Sequence, residues 1–431
     1  MPLRRFLLSF GVQHSLSAGL NVLFSFLQTI VFARALPTGE YSTVVLLTAS
    51  GFFLKPLDQA IGRANFIALR KGAVLGADAR ERPEIVAVLY AQAALLLLTS
   101  ALLPIWFNGG LHNYLQDVLY LGFALFTNYW ALDLQTTAWS VDLAKSFVRV
   151  SLVFRATCFI ALGALWVTKD FLLFAAIAAA LMAVFTAIVA LMLARRSDQL
   201  KLALRPARMT AAALRAHGRL IWTSLLTTLS ELVVLNSAYA LISAVFGVGA
   251  AVITFDSIMK IVRLAMNATR TLAEIALPRH SRMAIEQDRA GAARLTILVV
   301  GVCVGGMLVP ALALAFAGPQ VFGLLLGPNN VVPTSAGLVA GVIVLISGLF
   351  QPVLFFLGFA NAEREIRSLT LASIVGFGLF SLAVVCWRLG IVETLWAYAA
   401  YFTGATLLAT LLLKGVGGHA PALQGAKAGT S

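Results

Sequence analysis

Charge is scarce in this sequence. Only 12% of its 431 residues are Asp, Glu, Lys or Arg, while 60% are hydrophobic. That is about half the ~25% charged share of soluble proteins, and mean hydropathy is +0.91. So few charges cannot solvate a globular surface, which excludes a soluble enzyme, and so much apolar surface excludes a disordered chain. Cysteine is scarce as well. Cys158, Cys303 and Cys386 each sit inside an apolar run and are odd in number. They read as small core hydrophobes, which excludes a disulfide scaffold or a cysteine metal framework. No G-x-x-x-x-G-K-[ST] loop is present, so the chain does not itself hydrolyse ATP. There is no H-E-x-x-H, and His14, His112, His217, His280 and His419 are scattered, so neither a metal nor another cofactor is expected. Arg4 and Arg5 precede an apolar stretch in the manner of a signal peptide. However, no A-x-A-like site follows and the stretch runs on to Ala35, so an uncleaved first helix is expected.

What the chain has is long apolar runs of about 20 residues, the length that crosses a ~30 Å hydrocarbon core. Cutting at charged and turn-forming clusters gives twelve expected spans: 10–36, 41–68, 84–107, 115–139, 147–168, 171–194, 219–246, 250–278, 295–317, 334–359, 368–387 and 391–413. Barrel strands are about ten residues long and alternate strictly; these runs are twice that and uniformly apolar. The expected fold class is an all-α polytopic membrane protein of about 12 transmembrane helices.

The net charge of +14 falls into place on this topology, and nucleic acid is not an expected partner. With the N-terminus inside, the cytoplasmic segments hold 23 Lys and Arg, and the outer connections hold only Lys169 and Arg388. Such asymmetry places both termini in the cytoplasm. The longest basic connection, 195–218, divides the chain into an N-terminal six-helix lobe (1–194) and a C-terminal one (219–413), with a cytoplasmic tail at 414–431. Such parallel repeats are a recurrent transporter plan. The outer loops are short, the largest expected at 318–333, leaving no room for an extramembrane catalytic domain.

Charges inside the spans are the candidates for chemistry. Seven cations (Arg34, Lys55, Arg63, Arg155, Lys260, Arg263, Arg270) and five acids (Asp58, Asp133, Glu231, Asp256, Glu274) lie within or at the ends of spans. Each costs ~2.5–3.5 kcal/mol at the centre of a helix, so it must face protein or water. For Arg34 and Asp133, end-snorkelling or structural pairing stands level with a functional reading. The eighth span is different. Asp256, Lys260, Arg263, Asn267, Arg270 and Glu274 are spaced 4, 3, 4, 3 and 4, which at ~100° per residue puts all six inside an ~80° stripe. Asp256 with Lys260, and Arg270 with Glu274, are i,i+4 pairs; Arg263 has no such acid and reads as the cation freest to bind a ligand. The second span carries Lys55, Asp58 and Arg63 beside Pro56. Polar faces also mark the first span (Gln13, Ser17, Asn21, Ser25, Gln28) and the seventh (Ser224, Thr228, Glu231), so helices 1, 2, 7 and 8 are expected to enclose one cavity. Elsewhere Gly301/Gly305 and Gly337/Gly341 have the small-xxx-small spacing of close helix contacts.

Several short motifs carry a resemblance. Ala33-Arg34-Ala35-Leu36 followed by Gly39-Glu40-Tyr41 resembles the first hairpin of bacterial polysaccharide flippases. Leu277-Pro278-Arg279, Phe322-Gly323-Leu324-Leu325-Leu326-Gly327-Pro328 and Asn361-Ala362-Glu363-Arg364 are similar to turns of that family. The family includes O-antigen and exopolysaccharide-repeat flippases of the multidrug/oligosaccharidyl-lipid/polysaccharide exporter superfamily. Ser42 departs from its pattern, where Gly is common. The resemblance implies two six-helix lobes, a central cavity and alternating access; it does not imply particular substrate-binding residues.

The expected function is therefore a flippase of the bacterial inner membrane for an undecaprenyl-diphosphate-linked oligosaccharide, with polysaccharide polymerase and glycosyltransferases as further expected partners. Lys55, Arg63, Lys260, Arg263, Asn267 and Arg270 would face the diphosphate, because guanidinium offers phosphate a bidentate fork. Asp58, Glu231, Asp256 and Glu274 are the candidate coupling carboxylates. Two alternatives stand beside this: a drug or cation antiporter of the same superfamily, and a membrane glycosyltransferase, polymerase or ligase. A cation site should be net acidic, whereas the spans hold more cations than acids. The enzymes need a sizeable outer loop.

Overall fold

The structure, a computed structural model, describes residues 10–54, 83–107, 113–140, 143–196, 211–285, 288–327, 332–359 and 363–416. Among them all regular structure is helical: α1 (Phe10–Ala35), α2 (Thr38–Gly51), α3 (Pro83–Phe107), α4 (Tyr114–Leu125), α5 (Ala131–Ser140), α6 (Ala144–Thr168), α7 (Phe171–Arg196), α8 (Ala211–Phe246), α9 (Ala250–Ile285), α10 (Arg289–Leu326), α11 (Ser335–Phe359), α12 (Glu363–Cys386) and α13 (Ile391–Val416). The helices α4 and α5 are one rod, carried through the π turn Phe126–Trp130 with helical dihedrals at both joins. Each of the twelve expected spans thus has its helix; the second is described only as far as Leu54.

Seven of these helices are long and apolar enough to cross a membrane: α6, α7, α10, α11, α12, α13 and the Leu225–Phe246 part of α8. Their outer surfaces carry Val153, Ile160, Val309 and Phe316 largely exposed, a surface suited to hydrocarbon. The chain is a multi-pass membrane protein. The α9 helix does not qualify on apolarity because its charged stripe interrupts it.

Turn chemistry sets the short links. Lys169, in the left-handed region at φ 57°, ends α6 by donating its N–H to Leu165 O at 2.9 Å, and its ammonium lies 4.3 Å from the Trp166 ring centroid. Asp170 then opens α7 by accepting the Leu173 N–H at 3.1 Å. Gly247, at φ +74°, makes the reversal between α8 and α9, a backbone conformation that only glycine adopts freely.

One expected loop is largely helix. The outer connection expected at 318–333 is helical to Leu326, because Pro319 kinks α10 at Ala317 (φ −116°, ψ 21°) without ending it.

The chain divides into two compact units, Met1–Leu225 with Leu325–Asn329, and Leu226–Leu324 with Asn330–Ser431. In the first, α1 packs on α6, α6 on α7 and α4 on α7. Its centre is an edge-to-face cluster in which Phe32 meets Tyr41, Phe171 and Phe174 at centroid distances of 6.3, 5.6 and 5.2 Å. Ser42, the departure from the flippase pattern, is fully buried there; its hydroxyl donates back to Thr38 O and Gly39 O, so the hairpin accommodates it.

In the second unit α11 packs on α9 and α13, and α12 on α13. The α10–α11 contact is a glycine seam: a Cβ added at Gly337 would stand 2.7 Å from Leu314 O, and one at Gly341 2.5 Å from Ala311 O. Gly301 and Gly305, expected to make a similar contact, have nothing within 4 Å of an added Cβ; spacing alone does not say which face meets a neighbour. Cys158 and Cys303 are buried as expected, whereas Cys386 is exposed at the end of α12.

Candidate functional site

The charged stripe of α9 occupies the border of the helix's buried face. Val252, Phe255, Met259, Val262, Met266 and Ala273 are buried and centre about 80° round the helix from the stripe. Asp256 is buried at the inner edge of the stripe. Lys260 and Arg270 are half-buried, and Asn267 is exposed. Glu274 follows on the same helix, its side chain outside the described residues. Lys55, Asp58 and Arg63 also lie outside the described residues. Glu231 is half-buried on α8 and Thr228 is buried.

The structure assembles a compact network from α8, α9 and α13. Lys260 Nζ pairs with Asp256 Oδ2 at 2.7 Å, as the i,i+4 spacing predicts. Asp256 Oδ1 accepts a hydrogen bond from the Tyr239 hydroxyl at 2.8 Å. Tyr239 Oη in turn accepts from Arg263 Nη2 at 3.2 Å, and the same nitrogen donates to Asn236 Oδ1 at 2.9 Å. The Arg263 guanidinium lies 5.5 Å from the Tyr239 ring centroid, within cation–π range. Behind them Phe255 stands edge-on to Tyr239 and Tyr398, at 4.8 and 5.2 Å. Tyr398 donates to Val234 O at 3.0 Å, with Met259 Sδ at 3.6 Å.

This corrects the expectation that Arg263 is the least committed cation. Reasoning by i,i+4 neighbours sees only α9, whereas the partners Asn236 and Tyr239 come from α8, across the hairpin. They could have been found by following the polar face of α8 beyond Glu231: Tyr239 lies only about 20° from Thr228 on the helical wheel.

Chemically, two cations share one carboxylate here. Lys260, Asp256 and Arg263 together carry one net positive charge, held by neutral oxygens of Asn236 and Tyr239. Among the described residues no group of three His, Cys, Asp or Glu side chains could hold a metal ion.

No family model matches the chain, and no curated protein matches it. Solved structures do. An inward-facing multidrug resistance MATE family transporter of the MOP superfamily superposes with TM-score 0.68 at 12% identity, over 92% of this chain and 95% of that one. A MOP superfamily transporter from Pyrococcus furiosus, whose binding pocket is described as having reverse polarity, gives TM-score 0.63 at 13% identity, over 94% of each chain. A variant of the Vibrio cholerae MATE transporter VcmN gives 0.58 at 15%, over 93% and 98%. At such identities the likeness is one of architecture, and it extends over nearly the whole length: the chain has the two-lobed helical fold of the MATE transporters.

Proposed function

We propose that this protein is an alternating-access transporter that moves a lipid-diphosphate-linked oligosaccharide, a polysaccharide repeat unit, across the bacterial inner membrane. The observation that carries the reading is the excess of cation at the α8–α9 network, where Lys260 and Arg263 share Asp256 and Arg270 follows on the same stripe. An anion crossing hydrocarbon needs compensating charge, and guanidinium supplies it with a fork that matches phosphate. Lys55 and Arg63 of the second span, with Asn267, complete the proposed set of residues facing the diphosphate; Asp58, Glu231, Asp256 and Glu274 are the proposed coupling carboxylates. The chain would work beside polysaccharide polymerase and glycosyltransferases, with its termini and the 195–218 connection in the cytoplasm.

In cells dependent on this protein for polymer export, Arg263→Ala should abolish export while protein levels stay normal. Arg263→Lys should retain partial export, since charge survives without the fork. Glu274→Gln should do less harm, because it leaves the stripe more positive. Normal polymer from Arg263→Ala at normal protein levels would refute the cationic mechanism.

A second reading, a drug or cation antiporter, is favoured by the multidrug transporters among the structures with this fold. Uptake of a cationic dye into proteoliposomes, driven by a proton gradient and absent with lipid-linked oligosaccharide alone, would establish it instead.

A further inference from the structure

A second buried arginine lies in the first unit, on α6. Arg155 sits 11 residues after Ala144 and 13 before Thr168, about 17 and 20 Å from the ends of a membrane-crossing helix at ~1.5 Å per residue. At that depth its head group cannot snorkel to either surface. Nor does it face lipid. The exposed ridge of α6, made by Val153, Ile160 and Val167, lies ~120–160° round the helix from it, and Arg155 shares its face with buried Val148, Ser151, Cys158 and Leu162.

Its bonding is incomplete. Arg155 Nε donates to Ser151 Oγ at 3.3 Å, whereas Nη1 is buried without a hydrogen-bond partner. Ser151 Oγ lies 3.3 Å from Ser17 Oγ of α1, so the chain of donors runs from Arg155 through Ser151 to Ser17. The two helices are parallel here, since Phe24 meets Phe159 further along both, at 5.7 Å. One turn beyond the serine contact, Asn21 of α1 is therefore level with Arg155. Arg155 itself is half-buried, so the group is reachable from one side.

A cation at mid-membrane with a donor to spare, beside two hydroxyls and without a carboxylate among the described residues, is arranged for an anion. We propose that Arg155, Ser151 and Ser17 form an anion site inside the first unit that takes a phosphate-class oxyanion. Three tetrahedrally arranged acceptor oxygens can engage the open guanidinium edge and the hydroxyls together, which a spherical halide cannot. The site stands on the first unit alone and does not depend on which compound the protein carries.

The test uses the full-length protein in phosphatidylcholine nanodiscs, followed by thermal unfolding. Two probes are compared: inorganic phosphate against chloride at matched ionic strength, and phosphatidic acid incorporated into the disc. The wild-type should gain about 3 °C or more with at least one of them. Response to phosphate alone assigns a soluble ligand and response to phosphatidic acid alone a lipid-borne one; either supports the site. Arg155→Met should lose the response and, without either probe, melt no lower than wild-type, because an apolar side chain replaces an isolated charge. Arg155→Lys should respond more weakly than wild-type. A wild-type indifferent to both probes, an Arg155→Met protein with the full response, or one that melts well below wild-type without anion would overturn the proposal.

Discussion

Tyr239 gives its hydroxyl hydrogen to Asp256 across the α8–α9 hairpin, at 2.8 Å, and takes one from Arg263 at 3.2 Å. A single buried oxygen thus mediates between the acid and the second cation of the stripe. Its position fixes the hairpin's register, because both partners lie on α9 seven residues apart while Tyr239 itself lies on α8.

Removing that oxygen should be felt in stability. Tyr239→Phe leaves Asp256 Oδ1 and Arg263 Nη2 each one bond short, and should cost about 1–3 kcal/mol. Tyr398→Phe removes a bond to a helical carbonyl and should cost less, about 1 kcal/mol. Unfolding of the two purified variants in detergent gives the ranking; Tyr398→Phe proving the more damaging would contradict the network as described.

The Lys260–Asp256 pair should behave as a unit. Lys260→Met strips a partner from a carboxylate 5% exposed and should destabilise by about 1–3 kcal/mol. That is less than for a fully buried pair, since Lys260 remains a third exposed. Adding Asp256→Asn to Lys260→Met should recover much of the loss. Additive losses in this double-mutant cycle would show that the two side chains do not depend on one another.

The α10–α11 seam should distinguish glycines of identical spacing. Gly341→Ala forces a methyl against Ala311 O and should cost about 1–3 kcal/mol, whereas Gly301→Ala meets open space and should be neutral or slightly stabilising. Equal tolerance at both positions would mean that the seam is looser than the backbone distances require.

The charge asymmetry makes a topological prediction. In a background without Cys158, Cys303 and Cys386, single cysteines at positions 112 and 329 should react with an impermeant maleimide added to intact cells. Those at 205 and 425 should react only after permeabilisation. Labelling at 205 from outside would invert the twelve-span arrangement.

The helices were legible because hydrocarbon imposes one rule on every span: enough apolar residues to cross, with polar groups tolerated only where something receives them. The stripe on α9 and its Asp256–Lys260 pair could be read from spacing alone, since both are properties of one helix. The Arg263 partners and the Ser17–Ser151 contact could not, because they join residues 24, 27 and 134 positions apart and depend on which helices become neighbours. The motifs that resemble the flippases illustrate a different limit. Ala33, Tyr41, Phe322, Leu325 and Leu326 are all buried core residues, so the resemblance rests on packing in the hairpins and carries no information about what binds.

A π turn contains one residue more than the α-helical turn it replaces. Within Phe126–Trp130 the chain can therefore lose a residue and relax to regular α-helix with both flanks still in phase. Anywhere else along the α4–α5 rod, the same deletion turns everything downstream by ~100° and swings Asp133, Leu134, Thr137 and Ala138, all buried, out of the core. In this rod, length polymorphism between related chains should accordingly collect at these five positions, and helices aligned across it should gain or lose their odd residue there.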